Sequence, residues 1–422
     1  MTRFPALLAL ALTTALLLGG APAAVAPPPQ APDASAQVRG LWVSRAAMSS
    51  PSTIVQVVDD AAANGYQTLI VQVRGRGDAY YRSKFEPRAA ALAQQPAEFD
   101  PLATTIRLAH ARGLQVHAWI AVNLVASATD PPTAPSHILT RHPEWLMVPR
   151  SLGQELHGAD PLSPGYLGRL TRVLRTRSSD VEGLYVSPIP PDAAVHMVAV
   201  ALDIVRSYEI DGLHLDYIRY PAGDFDYSRA ALAAFRDDTW RFVEANERAR
   251  LDRVARDDVF AWVDMFPARW AAFRRARLTS MVQRLRTAVR SEKPTIVFSA
   301  AVRPNAEEAA TVRFQDWRLW LDEGLIDVAV PMIYTNDAAQ FSIDLQTTLR
   351  FAAPSQIWAG IGAWRLDPEQ TARHAAAARD AGAAGTVLFS YDSLDERGAT
   401  PAEYLARVTR ATGGIPPGQV QR

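Results

Sequence analysis

An α/β fold, a (β/α)8 TIM barrel with insertions after strands 3 and 4, is what this chain predicts. Three observations carry the expectation. Eight short apolar runs recur along the sequence with amphipathic stretches between most of them, and such alternation builds a parallel sheet wrapped by helices. The run Thr68 to Arg74 is apolar on both faces, as a strand covered on both sides must be. No Gly-x-Gly-x-x-Gly turn follows a strand: Arg74-Gly75-Arg76-Gly77-Asp78 lacks the third glycine, which argues against an open, doubly wound nucleotide-binding sheet.

The elements follow in order. Arg39 to Arg45 reads as the first strand, then a helix from about Thr53 to Asn64 is stopped by Gly65. Thr68 to Arg74 is the second strand, Pro101 to Arg112 a helix closed by Gly113, and Gln115 to Asn123 the third strand. A helix over Asp192 to Tyr208 leads into the fourth strand, Gly212 to Arg219. Ile296 to Arg303, Asp327 to Tyr334, Gln356 to Trp364 and Thr386 to Asp392 complete the eight, with helices near Phe314 to Glu323 and Pro368 to Ala381. The barrel is expected over 38–400, with a C-terminal helix and tail over 401–422.

Two long excursions interrupt the alternation. Leu124 to Pro190, rich in proline pairs, is too long for a structureless loop in a compact domain and is expected to cap the barrel mouth. The second, 222–294, reads as helical. Between Arg269 and Arg290 it is strongly basic, with Phe273, Leu278, Met281, Val282 and Leu285 facing inward and the arginines read as a solvated face.

At the N-terminus, Arg3 precedes an apolar run from Ala6 to Leu18, and Ala24-Val25-Ala26 has the small-x-small form of a signal-peptidase site. The expectation is a cleavable signal peptide over 1–26, a flexible mature start over 27–37, and a secreted or periplasmic protein with no membrane span after cleavage. The chain has no cysteine, which excludes disulfides and thiolate chemistry and leaves stability to a large core. The formal net charge is zero, so nothing suggests a nucleic-acid partner.

In an α/β barrel the chemistry sits where strands give way to the following loops. Those ends present Arg45; Arg74 with Asp78; Asn123; Asp216 with Arg219; Arg303; Tyr334; Trp364; and Tyr391 with Asp392. Alternation places His214 and Asp216 on one face of the fourth strand, and His117 and Trp119 on one face of the third. Aromatic faces, amides and arginines converging on one rim suit a sugar. The candidate catalytic residues are Asp216 and, across the mouth, Asp78, with Glu86 and Asp392 as competitors for the second role. The candidate substrate-binding residues are Arg74, His117, Trp119, Asn123, His214, Arg219, Arg303, Tyr334, Trp364, Tyr391 and Asp392. No His-x-His pair occurs among the eight histidines, so no metal and no cofactor is expected.

Motifs along the mature chain are similar to those of glycosyl-hydrolase-like family 10, formerly a domain-of-unknown-function family. They are Arg39-Gly40-Leu41-Trp42; Val73-Arg74 with Gly77-Asp78-Ala79-Tyr80-Tyr81 and Glu86-Pro87; Ala109-His110-Ala111-Arg112-Gly113 running on to Trp119; His142-Pro143-Glu144-Trp145-Leu146; Asp211 to Pro221; and Ile326 to Tyr334. The resemblance spans Arg39 to about Asp392. It implies a secreted or periplasmic glycosidase-like barrel whose partner is a polysaccharide, with members acting on peptidoglycan glycan strands. The chain departs from the family at Met332, where a polar residue is common, and at Asp216-Tyr217, where paired acids are common.

The residues exclude one relative of this chemistry. A chitinase-type Asp-Gly-x-Asp-x-Asp-x-Glu strand would need an acid where Ile218 stands. Two readings remain open at this stage: a glycoside hydrolase working through two carboxyl groups, and a non-catalytic glycan-binding protein on the same barrel.

Overall fold

The computed structural model describes residues 37–394 and 399–413. The signal peptide expected over 1–26 and the tail after 413 lie outside the described residues. Among the described residues there are ten strands: β1 (Val38–Val43), β2 (Thr68–Arg74), β3 (Gln115–Ala121), β4 (Leu124–Ala126), β5 (Leu184–Tyr185), β6 (Gly212–Asp216), β7 (Val297–Val302), β8 (Val328–Ile333), β9 (Trp358–Gly362) and β10 (Gly385–Phe389). Eight of them close a barrel in the ring order β1-β2-β3-β6-β7-β8-β9-β10, parallel throughout, and β4 pairs with β5 in a separate antiparallel ribbon. Each barrel strand coincides with one of the eight apolar runs. The two-stranded ribbon was not legible in the sequence, because two- and three-residue strands carry no period.

The helices follow the expected order with local differences. Ser50 caps Pro51–Ala63 and Asp100 caps Pro101–His110, each accepting a backbone N–H of the first turn. The helix expected over Phe314 to Glu323 is Trp317–Asp322, and a helix that was not expected, Ala306–Val312, precedes it. Between them Phe314 takes a left-handed conformation at φ 54° and packs on Tyr220, while Gln315 donates to the Ile218 and Ala301 carbonyls. A further helix, Ala338–Leu349, joins β8 to β9.

From 122 to 211 the chain carries β4, β5, three short helices and the helix Pro191–Ser207. From 217 to 296 it carries four helices (Arg229–Trp240, Ala245–Val254, Ala261–Met265 and Pro267–Glu292), which share a small core that includes Phe235, Leu251, Trp262, Trp270 and Phe273. All five apolar residues expected to face inward on the long helix are buried. Its arginines are less solvated than expected. Arg274 is buried with its guanidinium 4.1 Å over Phe314, and Arg286 and Arg290 both pair with Asp327 at the foot of β8. A helix laid on the barrel wall satisfies acids there that its sequence does not reveal. Among the described residues, no helix is long and apolar enough to cross a membrane.

The outer faces of the strands pack on the helices in one large core, while a second set fills the barrel: Trp42, Ile70, Trp119, Ala301, Val328, Val330, Trp358 and Val387. Near the floor, His117 lies beside Trp358, with ring centroids 5.7 Å apart. It fits because its neighbour on β6 is Gly212; a Cβ there would overlap the imidazole. Gly212→Ala is therefore expected to lower stability by about 1–3 kcal/mol through overpacking. A denaturant midpoint equal to wild type, at unchanged slope, would show that the ring yields freely.

Candidate active site

An open cleft of about 610 Å³ lies at the C-terminal end of the barrel. Its floor and walls include Trp42, Gln72, Trp119, Asp216, Tyr334 and Phe389, contributed by six strands or the residues just after them. Tyr334 and Phe389 stack with centroids 5.4 Å apart, and Trp42 stands edge-on to both. The result is an aromatic floor with polar walls, which suits the alternating faces of a sugar ring.

Asp216 ends β6, and strand parity sends its carboxylate inward beneath the cleft. Its Oδ1 accepts the Tyr217 backbone N–H at 2.6 Å and the Arg219 guanidinium at 3.4 Å; its Oδ2 accepts the Trp119 indole N–H at 3.2 Å. Tyr217 reaches its position at φ 50°, a conformation that costs a non-glycine residue about 1–3 kcal/mol and is typical of functional sites. Burial raises the Asp216 pKa, and Arg219 and the Tyr217 N–H only partly oppose it.

A second carboxylate on the cleft is Glu182, from the residues just before β5. Gly183 packs so tightly on the Ala126 carbonyl that no side chain fits there, which fixes Glu182 at the cleft wall. Glu182 accepts Arg219 at 3.0 Å and the Tyr185 hydroxyl at 2.6 Å. Burial alone would raise its pKa, but Arg219 and these hydrogen bonds bring it below the ordinary value. One guanidinium thus bridges two carboxyl groups and holds them no farther apart than the roughly 9.5 Å that inverting glycosidases use. Their pKa values are displaced in opposite directions, an arrangement in which paired carboxyl groups can divide the work of acid and base.

His214 lies one layer below the cleft. Its Nε2 accepts the Trp42 indole N–H at 3.2 Å, so the neutral ring carries its proton on Nδ1 and donates to Ser299 Oγ at 2.9 Å. Burial and the nearby His117 push its pKa down to about 3. It supports the aromatic floor and does not reach substrate space.

Of the residues expected from the sequence, Asp216, Trp119, Arg219, Arg303 and Tyr334 line the cleft. The others do not, each for a packing reason. Asp78 turns back to accept the Arg76 backbone N–H at 2.9 Å. Arg74 is wholly buried and grips Glu86 with two hydrogen bonds of 2.7 and 2.6 Å, which also removes Glu86 as a catalytic competitor. His117 sits on the barrel floor, where burial pushes its pKa down to about 4. Asn123 exchanges hydrogen bonds with Val186 and ties the end of β3 to the residue after β5. Trp364 packs edge-on behind Tyr334 at 4.9 Å. Tyr391 donates to Asp60 at 2.7 Å, and Asp392 accepts the Ser44 and Ala47 N–H groups at 2.6 and 2.9 Å to shape the loop after β1. Sequence reading missed Glu182, Arg76 and Tyr217 as cleft residues. For Glu182 no local signal exists, since a lone acid in a long connection carries no period or motif.

The Arg74–Glu86 pair carries a stability prediction. Burial alone would raise the Glu86 pKa; Arg74, with His196 at 3.3 Å, overrides it and holds the group at about 2. Its stabilising contribution is present above about pH 4.5 and is lost as pH falls towards 2. Glu86→Gln strands a buried guanidinium and is expected to cost about 3–5 kcal/mol, whereas an apolar replacement of both partners costs less. Equal unfolding midpoints for Glu86→Gln and wild type at neutral pH would contradict this.

The model of the family described as glycosyl hydrolase-like 10 matches residues 37–164 and 166–361. The chain is 24% identical over 316 residues to the glycosyl hydrolase YngK of Bacillus subtilis, covering 69% of this chain and 51% of that protein. It is 22% identical over 372 residues to the glycosyl hydrolase DigH of Escherichia coli K12, covering 76% of this chain and 72% of that one. The chain thus spans about half the length of the Bacillus relative. Among solved structures, the glycoside hydrolase domain of PgaB (BpsB) from Bordetella bronchiseptica superposes with a TM-score of 0.60 at 16% identity, covering 89% of this chain and 99% of that one. The catalytic domain of a β-amylase from Paenibacillus polymyxa gives 0.57 at 10% identity, covering 90% and 99%. These two likenesses are of fold.

Proposed function

The chain belongs to the glycosyl hydrolase-like 10 family, and on that premise we propose that it hydrolyses O-glycosidic bonds of a cell-envelope polysaccharide, peptidoglycan glycan strands first among them. The observation that carries the reading is the Asp216–Glu182 pair, two carboxyl groups on one cleft, joined by Arg219 and displaced in pKa in opposite directions.

The roles follow from the donors. Asp216 Oδ1 takes two hydrogen bonds and remains an acceptor, while Oδ2 has one and is the oxygen free to hold a proton. Asp216 is thus the general acid for the departing sugar oxygen. Glu182, kept ionised by Arg219, acts as base on water or as nucleophile. Trp42, Tyr334 and Phe389 supply stacking surfaces for the sugars. The preference for peptidoglycan rests on the family resemblance carried by the motifs from Arg39 to Asp392. A secreted or periplasmic location, which would bring the protein to that polymer, rests on the signal-like segment ending at Ala26.

The test is a mass-spectrometric product assay on intact and peptide-stripped glycan strands. New sugar fragments are expected with the wild-type protein. Binding to the strands with no fragments from any glycan tried would overturn hydrolysis in favour of a glycan-binding barrel.

A further inference from the structure

The cleft holds more positive charge than the acid pair requires. Arg219 is committed to Asp216 and Glu182. Arg45, just after β1, and Arg76, just after β2, line the same cleft on neighbouring positions of the ring. Both are half-buried, and among the described residues neither guanidinium has a hydrogen-bonded or ion-paired partner.

Three of the nearby acids are already engaged. Glu86 is held by Arg74, Asp392 by two backbone N–H groups, and Asp78 by the Arg76 backbone, leaving Asp78 and Asp130 to act on the Arg76 side chain only through space. Arg45 lies directly across Gly75: a Cβ at position 75 would fall 2.5 Å from its Nη1 and 3.0 Å from its Cδ, so the glycine leaves it room to pass. Burial first, and then the neighbouring Arg45, lower the Arg76 pKa, with Asp78 and Asp130 opposing them only in part.

We infer that Arg45 and Arg76 form a subsite for a carboxylate carried by the glycan, so that the preferred substrate is an acidic polysaccharide rather than a neutral one. The inference rests on the glycosidase reading of the same cleft. A planar guanidinium meets a carboxylate edge-on through paired N–H donors, and a neutral sugar would leave both groups unmatched. Two sugar types present such a group: a uronic acid, and a sugar bearing a lactyl ether, as in peptidoglycan.

The experiment uses the Asp216→Asn protein, so that binding is read without turnover. Oligogalacturonate and peptide-free peptidoglycan strands would each be tested by calorimetry, native and after carboxyl reduction. The parent is expected to bind at least one native glycan roughly 10- to 100-fold more tightly than its reduced form. Arg45→Gln and Arg76→Gln are expected to erase that preference while leaving affinity for the reduced form unchanged. Arg76→Lys, which keeps the charge but not the fork, retains part of it. Which native glycan shows the preference identifies the acid-bearing sugar. Equal affinity of the parent for native and reduced forms of both glycans, or no binding to either, would overturn the subsite. A carboxylate preference with no cleavage by the wild-type protein would leave the subsite standing and overturn hydrolysis instead.

Discussion

Asp216→Asn lowers glycan turnover by about 10²- to 10⁴-fold while the barrel stays folded, the range expected when a general acid is removed. The amide keeps the shape of the carboxyl group and still accepts a hydrogen bond, but it has no acidic proton to give a leaving oxygen. The amide oxygen can keep the Tyr217 N–H and Arg219 donors while its NH2 gives up the Trp119 hydrogen bond, and a raised Asp216 pKa means that the site already disfavours the charge being removed. The check is steady-state turnover alongside thermal unfolding. Turnover within a few-fold of wild type in a folded variant would take Asp216 out of the mechanism.

Glu182→Gln produces a loss of similar size with a different pH signature. The active form has Glu182 ionised and Asp216 protonated, so activity falls below the depressed Glu182 pKa and above the raised Asp216 pKa. The two groups share Arg219, so these limbs belong to the pair. Removing the Glu182 charge abolishes the acid limb of whatever activity remains. It also relieves the repulsion that raises Asp216, so the alkaline limb moves to lower pH. An unshifted alkaline limb would show that the two carboxyl groups do not sense each other.

Much of the fold was legible because it is written in local pattern. A strand buried on both faces must be apolar along its length, and eight such runs in 422 residues leave few parallel architectures other than a barrel. Parity is equally local: once Gly212 to Asp216 is a strand, His214 and Asp216 share a face. That reasoning found Asp216, and its extension to the third strand found Trp119, which donates to it. The same reasoning placed His117 and His214 inside the barrel, but it could not tell the floor from the mouth. That depends on how far each strand has travelled when the barrel closes.

What the tertiary structure decided is which charges meet. At the end of β2 the sequence offers Arg74, Arg76 and Asp78 within five residues, with nothing to rank them. Folding buries Arg74 against Glu86, turns Asp78 to a backbone N–H, and leaves Arg76 on the cleft. Glu182 reaches Arg219 only because β4 and β5 pair across a long excursion and bring a remote acid to the barrel mouth. Apolar periodicity determined the barrel and one carboxylate, since burial acts on each residue along its own strand. Electrostatic partnership is a property of residues far apart in the chain, and only the closed fold selected the second.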